Sequence, residues 1–322
     1  MSRSSSIPGS RTVVVSTPPD ATLSLVRSPS TGIVDQAGAV TQTPPMNEHG
    51  MSWTVEARNT APDSENKIHD DEVARQHGFA GGLVPGVTTY AWLARQALVA
   101  LGPEWLHRGT LKARFVKPVY EGDHITVEAA PAVPDDEPES TAATHDSPVT
   151  ITAYRPDGEV AAVGSATLPP TAHVPPDLDD FPPAELPERP PPVSAEVLRG
   201  LGPLGVLSAG FHDDRAPEYL ASVGDDHPFW EVDDVAHPGW LLLFANWILA
   251  ANVQLGPWIH TGSTVTHYRT LRDGEHFEVR GRVKDVYERK GHELVDLDLL
   301  YVVGEEPVQH VHHTAIYRLR PG

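Results

Sequence analysis

The residues best suited to chemistry lie in the stretch Ser64-Glu65-Asn66-Lys67-Ile68-His69-Asp70-Asp71-Glu72-Val73-Ala74. His69 is the leading candidate. An imidazole with an ordinary pKa of about 6.5 can take or give a proton near neutral pH. The chain has no cysteine, so it offers no thiolate nucleophile, disulfide or Cys-ligated metal. A purely local role competes with the catalytic one: His69 can cap a helix or pair with Asp70 or Asp71. Ser64 cannot act as a general base by itself, but it can orient a water or cap the turn. Asp63 or Glu65 can supply a carboxylate if the local register moves by one residue.

The chain holds 17 histidines. On a strand, His310 and His312 point to one face and His313 to the other. A metal there would need convergent partners that the sequence does not show, so no metal is expected. His107 and His260 recur after the two Pro-Gly helices, as do His124 and His276 in later turns. Shared ancestry explains these recurrences more simply than two active sites. His237, just before Pro238-Gly239-Trp240, stands at a helix start, where it can line a pocket or pack. There is no Gly-x-Ser-x-Gly elbow, phosphate loop or dinucleotide fingerprint. Gly81-Gly82 is too short to be one.

The elements that must position these residues are marked by proline. Of 32 prolines, ten fall within residues 169–192. Such a segment cannot supply donors to a helix or sheet and favours an extended form. The chain therefore divides into a disordered tail at 1–45 (Met46 and Met51 are alternative in-frame starts), a first folded unit at 46–168, a Pro-rich linker at 169–204 and a second unit at 205–322. Residues 131–148 read as an acidic loop.

The two units are copies of one another. Pro85-Gly86 matches Pro238-Gly239, and Leu101-Gly102-Pro103 matches Leu255-Gly256-Pro257. Glu121-Gly122-Asp123-His124 matches Asp273-Gly274-Glu275-His276. In each copy a Pro-Gly turn opens a helix of about fifteen residues, with strands after it. Apolar residues from Val87 to Leu101 give the first helix one 3.6-period face. Leu241 to Val253 is apolar nearly all round and predicts a helix buried on most sides. The strands are expected at Leu111 to Val119, Ile125 to Ala129, Val149 to Tyr154 and Val160 to Leu168. In the second copy they fall at Val265 to Leu271, Phe277 to Tyr287, Leu294 to Val303 and His310 to Leu319. One helix followed by an antiparallel meander is an α+β unit with the sheet wrapped around the helix.

This helix-then-meander order, the Asn66-x-Ile68-His69 motif and the apolar loop through Phe79 to Gly86 together resemble the MaoC-like dehydratases, the R-specific enoyl-CoA hydratase group. Asn66, Ile68, His69, Asp71, Ala74, Phe79 and Gly86 fit that family's pattern. Ser64 stands where the family has its catalytic Asp, and Lys67 where it has Pro. The second copy lacks the motif. The resemblance implies a double hotdog fold, two tandem helix-plus-sheet repeats. It also implies hydration or dehydration of an acyl thioester on CoA or an acyl carrier protein. That reaction needs an activated water, a proton at the α-carbon and stabilisation of negative charge on the thioester oxygen. By the resemblance, His69 with Ser64 and Asn66 would form the catalytic group. Gly86 and Val87 would bind the thioester through the helix N-terminus. Phe79, Tyr90 and His237 would line the acyl pocket. No cofactor beyond the CoA substrate is implied. An acyl-CoA-binding protein without turnover and a thioesterase are the alternatives.

The formal net charge is -20. It argues against nucleic-acid binding, and it also opposes an anionic CoA unless Arg95, Arg108, Lys112, Arg114 or Lys117 forms a local basic patch. No apolar run reaches the roughly 18 residues of a membrane span. With no cysteine and no recognisable secretory signal, a cytoplasmic protein is expected, as a monomer or homodimer.

Overall fold

The computed structural model describes residues 51–132 and 148–320. The tail at 1–45 and most of the acidic loop lie outside the described residues. The first unit contains β1 (Met51–Glu56), α1 (Asp71–Gln76), α2 (Gly86–Leu101), α3 (Trp105–Arg108), β2 (Thr110–Phe115), β3 (His124–Pro131), β4 (Val149–Tyr154) and β5 (Val160–Thr167). After α4 (Ala195–Gly200), the second contains β6 (Leu207–Gly210), α5 (Ala216–Val223), α6 (Pro238–Asn252), β7 (Ile259–His267), β8 (His276–Arg289), β9 (His292–Val303) and β10 (Glu306–Arg318).

The ten strands among the described residues form one antiparallel sheet in the order β1-β3-β4-β5-β2-β7-β10-β9-β8-β6. That order is symmetric about its centre: exchanging each strand for its copy returns the list read backwards. The duplication read in the sequence is thus a two-fold relation in space. The seam is the β2–β7 pairing, in register from Thr110↔Thr266 to Arg114↔Gly262. Gly122 and Gly274 hold φ angles of +79° and +78° in equivalent turns, a left-handed conformation that favours glycine.

Two strands escaped the sequence reading. β1 and β6 precede the helices and close the outer edges of the sheet, so each unit has five strands and not four. β7 also begins at Ile259, six residues before the expected Val265. That shift puts His260 and Ser263 on a strand.

α6 is buried on most sides as expected, but α2 is buried on more than the one face its periodicity implies. In α2 the residues Val87 to Ala94, with Gln96 to Leu98, are buried, including Thr88, Thr89 and Gln96. The sheet covers α2 on one side and α6 packs against it. Gln96 tolerates this because its Nε2 donates to the Val127 carbonyl at 2.8 Å and the Met51 carbonyl at 3.2 Å. Buried amides need such partners. On α6, apolar nearly all round, Trp247 is exposed while Trp240 and Leu243 are half-buried. Periodicity within one helix cannot show what a second helix will cover.

The Pro-rich stretch runs along the second unit. Phe181 is buried beside Leu300 and Val302, under the Arg282 guanidinium at 5.0 Å. Further on, the Val193 N–H bonds the Gln254 carbonyl and the Gln254 N–H bonds the Pro191 carbonyl. No helix among the described residues is long and apolar enough to cross a membrane.

Candidate active site

A cavity of about 270 Å³ opens at the seam. The first unit supplies Asn66, His69, Phe79, Leu83 to Gly86 and Thr89, with Phe115 to Val119 at the end of β2. The second supplies Asn246, Trp258 to Thr261, His292, Ile316 and Leu319. Neither unit alone encloses it.

The loop before α2 aims His69. Asp70 caps α1 by accepting the N–H groups of Glu72 and Val73, both at 3.0 Å. Asp71 accepts the Gly82 N–H at 2.8 Å and an Arg75 N–H at 2.8 Å. Neither carboxylate bonds His69, so the local pairing weighed for it is not what forms. A Cβ on Gly82 would collide with the His69 carbonyl, which accounts for glycine there.

The tautomer of His69 follows from its neighbours. Asn66 Oδ1 accepts the Trp258 N–H at 3.1 Å and the Ile68 N–H at 3.4 Å. Asn66 Nδ2 is therefore the donor, to the Trp258 carbonyl at 3.0 Å and to His69 Nε2 at 3.3 Å. So His69 Nε2 carries no proton. Its Nδ1–H donates to the Leu83 carbonyl at 2.6 Å. Burial lowers the His69 pKa, opposed by the bond to Leu83. His69 is a neutral imidazole whose Nε2 lone pair accepts the Asn66 amide at 3.3 Å; to act as a general base it exchanges that long bond for one to a water.

The N-terminus of α2 forms another wall. Pro85 precedes it with no side-chain cap. The Thr88 and Thr89 N–H groups bond the Pro85 carbonyl, and those of Gly86 and Val87 have no partner among the described residues. Unpaired donors at the positive end of a helix dipole suit an oxygen acquiring negative charge.

The equivalent end of α6 is sealed. His237 Nδ1 accepts the Gly239 N–H at 2.9 Å, and His237 Nε2 donates to Asp225 at 3.2 Å. Asp225 also takes the Trp230 indole N–H at 2.9 Å and Arg95 Nε at 3.1 Å. Burial disfavours the Asp225 charge, but the His237 bond and its other partners outweigh it and hold the pKa below the usual range. Tyr219 from α5 fills the space at Gly239, where a Cβ would stand 2.5 Å from its hydroxyl.

Several expectations change accordingly. His237 lines no acyl pocket; it plugs the second helix end. Tyr90 is fully buried away from the cavity, and burial pushes its hydroxyl pKa far up. The Val87 side chain is also in the core, and only its N–H belongs to the open helix end. Ser64 does not line the cavity, and its hydroxyl donates to the Asn66 carbonyl at 3.3 Å. Asp63 and Glu65 are exposed, and no Asp or Glu among the described residues lines the cavity. Phe79 and Gly86 do line it.

Of the five basic residues, Lys117 alone is in the cavity wall. It pairs with Glu159 at 2.5 Å. Arg95 is spent on Asp225 and Asp226, and Arg108 on Glu104 and the Pro169 carbonyl. Lys112 and Arg114 lie on the exposed face of β2. They form no single patch.

Two cavity groups were missed in the sequence. Buried His260 and half-buried Asn246 line the wall, and neither His260 Nδ1 nor Asn246 Oδ1 has a partner. The mistaken start of β7 hid the first, and the second sat inside an apolar run. Away from the cavity, His310 and His312 do meet a convergent partner, Asp298, contrary to the sequence reading. The three could offer ligand atoms within 4.8 Å of one another. Arg282 donates to the same carboxylate at 2.9 and 3.2 Å, and its positive charge opposes a cation there.

No protein-family model matches the chain, and no curated protein matches it in sequence. Solved structures do match. A conserved hypothetical protein from Mycobacterium tuberculosis with a double hotdog fold aligns with a TM-score of 0.56 at 14% identity, over 84% of this chain and 96% of its own. A MaoC domain protein from Chloroflexus aurantiacus gives 0.54 at 12% identity, over 87% and 99%. A MaoC-like dehydratase gives 0.51 at 12% identity, over 84% and 98%. With its symmetric sheet and paired central helices, the chain has the double hotdog fold.

Proposed function

We propose that the chain is a MaoC-like hydratase or dehydratase of acyl thioesters, enoyl and 3-hydroxyacyl, carried on CoA or an acyl carrier protein. The carrying observation is one cavity lined by both His69, whose Nε2 is unprotonated, and Gly86, the first residue of the uncapped end of α2. The thioester oxygen would sit at the helix end, and His69 would take a proton from the attacking water. Oxygen then bonds to the β-carbon, the double-bond electrons move toward the thioester oxygen, and the α-carbon gains the proton. At about 270 Å³, the cavity is at the small end of ligand pockets. It suits a short acyl group.

The test is turnover of a graded series of enoyl-CoAs, followed by loss of the enoyl absorbance. Wild type should hydrate the short members, and His69→Ala should lose about 10²–10⁴ in kcat. Equal turnover by His69→Ala would refute the role of His69. The absence of a carboxylate among the described residues of the cavity walls favours a second reading, an acyl-CoA-binding protein without turnover. Tight binding with neither hydration nor thiol release would select it. Thiol release would identify a thioesterase.

A further inference from the structure

The second unit's share of the cavity wall carries a buried titratable group, His260. His260 is 5% exposed and belongs to β7, on the second unit. A Cβ built on Gly86 would stand 2.9 Å from His260 Nδ1. The imidazole therefore lies against the first residue of α2, beside the unpaired amides. Its Nδ1 has no partner. Its other nitrogen, Nε2, lies 2.8 Å from Ser263 Oγ, which lies 3.0 Å from His313 Nδ1. The two rings stack with centroids 4.1 Å apart.

A hydroxyl between two imidazoles allows two proton arrangements. In one, His313 Nδ1–H donates to Ser263, the Ser263 hydroxyl donates to His260 Nε2, and the remaining proton is on His260 Nδ1. In the other every bond reverses, and the orphan proton is on His313 Nε2. His313 is 1% exposed, does not line this cavity, and its Nε2 has no partner among the described residues. Buried N–H groups are rarely left orphaned, whereas bare acceptors are tolerated better. The first arrangement places the unsatisfied N–H on a residue of the cavity wall; Nδ1 is covered by Gly86, so a ligand oxygen accepts from it once the ring turns toward the cavity.

We propose that His260 is a catalytic residue whose Nδ1–H donates to the thioester oxygen, completing with the Gly86 and Val87 amides the hole in which negative charge develops. The proposal rests on the thioester reading above. Burial, with His313 nearby, outweighs a contact with the Gly262 backbone and holds the His260 pKa well below its ordinary value, so the donor is a neutral imidazole. Preorganised donors of this kind act where charge appears in the transition state. Glycine at 86 is then required, since a methyl group there would push His260 away from the helix end.

The experiment is infrared difference spectroscopy of butyryl-CoA labelled with ¹³C at the thioester carbonyl. This saturated ester cannot be hydrated. On wild type its carbonyl stretch should fall to lower wavenumber. His260→Ala should lose part of that fall and about 10²–10³ in kcat on the enoyl ester. His260→Asn, which returns an N–H near the Nδ1 position, should recover part of both. An unchanged carbonyl stretch in His260→Ala, with wild type still hydrating, would overturn the His260 proposal and leave the thioester reading standing. No binding of butyryl-CoA to wild type would overturn both. If His260→Ala does not fold, ¹⁵N shifts of the wild-type histidines decide: a protonated Nδ1 on His260 supports the proposal and a protonated Nε2 overturns it.

Discussion

Asn66 donates to His69 Nε2 because its own oxygen is committed to two backbone N–H groups, one of them Trp258 from the opposite unit. The second hotdog therefore sets the protonation state of a residue on the first. Asn66→Asp would place a carboxylate oxygen where the amide donor stands. A negative neighbour favours the imidazolium, so the His69 pKa should rise. The acidic limb of kcat/KM, which requires neutral His69, should move to higher pH. A pH–rate profile of the variant against wild type checks this.

Gly86 and Gly239 begin equivalent helices but should respond differently to alanine. At Gly239 the added methyl meets the Tyr219 hydroxyl at 2.5 Å and Ala91 Cβ at 2.6 Å. Overpacking of this kind costs about 1–3 kcal/mol, seen as a lower urea midpoint. At Gly86 it meets His260 Nδ1 at 2.9 Å and Phe115 at 3.1 Å, and turnover should fall more than stability.

Stability should fall in mild acid through buried histidines. Burial lowers the pKa of His267 and of His313 to about 3. The unfolded chain binds these protons near pH 6.5 and the folded chain does not, so stability rises with pH across this window. It should be complete above about pH 6.5 and decline as pH falls toward 3, by up to about 1.4 kcal/mol per pH unit for each group. Urea midpoints at pH 7, 6 and 5 measure the slope. Replacing His267 with a non-titrating residue that still folds should flatten it.

Lys117 is the basic residue in the cavity wall, half-exposed and paired with Glu159. Its charge should act on the phosphates of CoA and not on the acyl group. Lys117→Ala should raise KM for a CoA thioester about two- to fivefold, the range of an exposed ion pair. KM for the matching pantetheine thioester, which lacks the nucleotide, should not change. Equal effects on both esters would refute the assignment.

Much of the architecture could be read from local signals. Pro-Gly at two helix starts, glycine turns at 122 and 274, and alternation from Val311 to Tyr317 are short-range features, and each produced the element it implied. β1 and β6 left no comparable signal, being short edge strands whose partners lie far along the chain. The site was legible in part. Asn66, His69 and Gly86 share one loop-to-helix segment and could be found together. His260 reaches Gly86 only because β2 pairs with β7, across 174 positions of sequence. The plug on α6 depends on Asp225, Trp230 and Tyr219, which come from a segment with no counterpart in the first unit's motif. Local pattern carries no information about such long-range closure.

The unequal helix ends have a consequence for stoichiometry. A two-fold architecture ordinarily offers two equivalent receptors, and here His237 and Tyr219 occupy one of them. Ligand titration should therefore saturate at one equivalent per chain, with a simple hyperbolic isotherm. Half-of-the-sites behaviour is fixed in the covalent structure and needs no communication between the units.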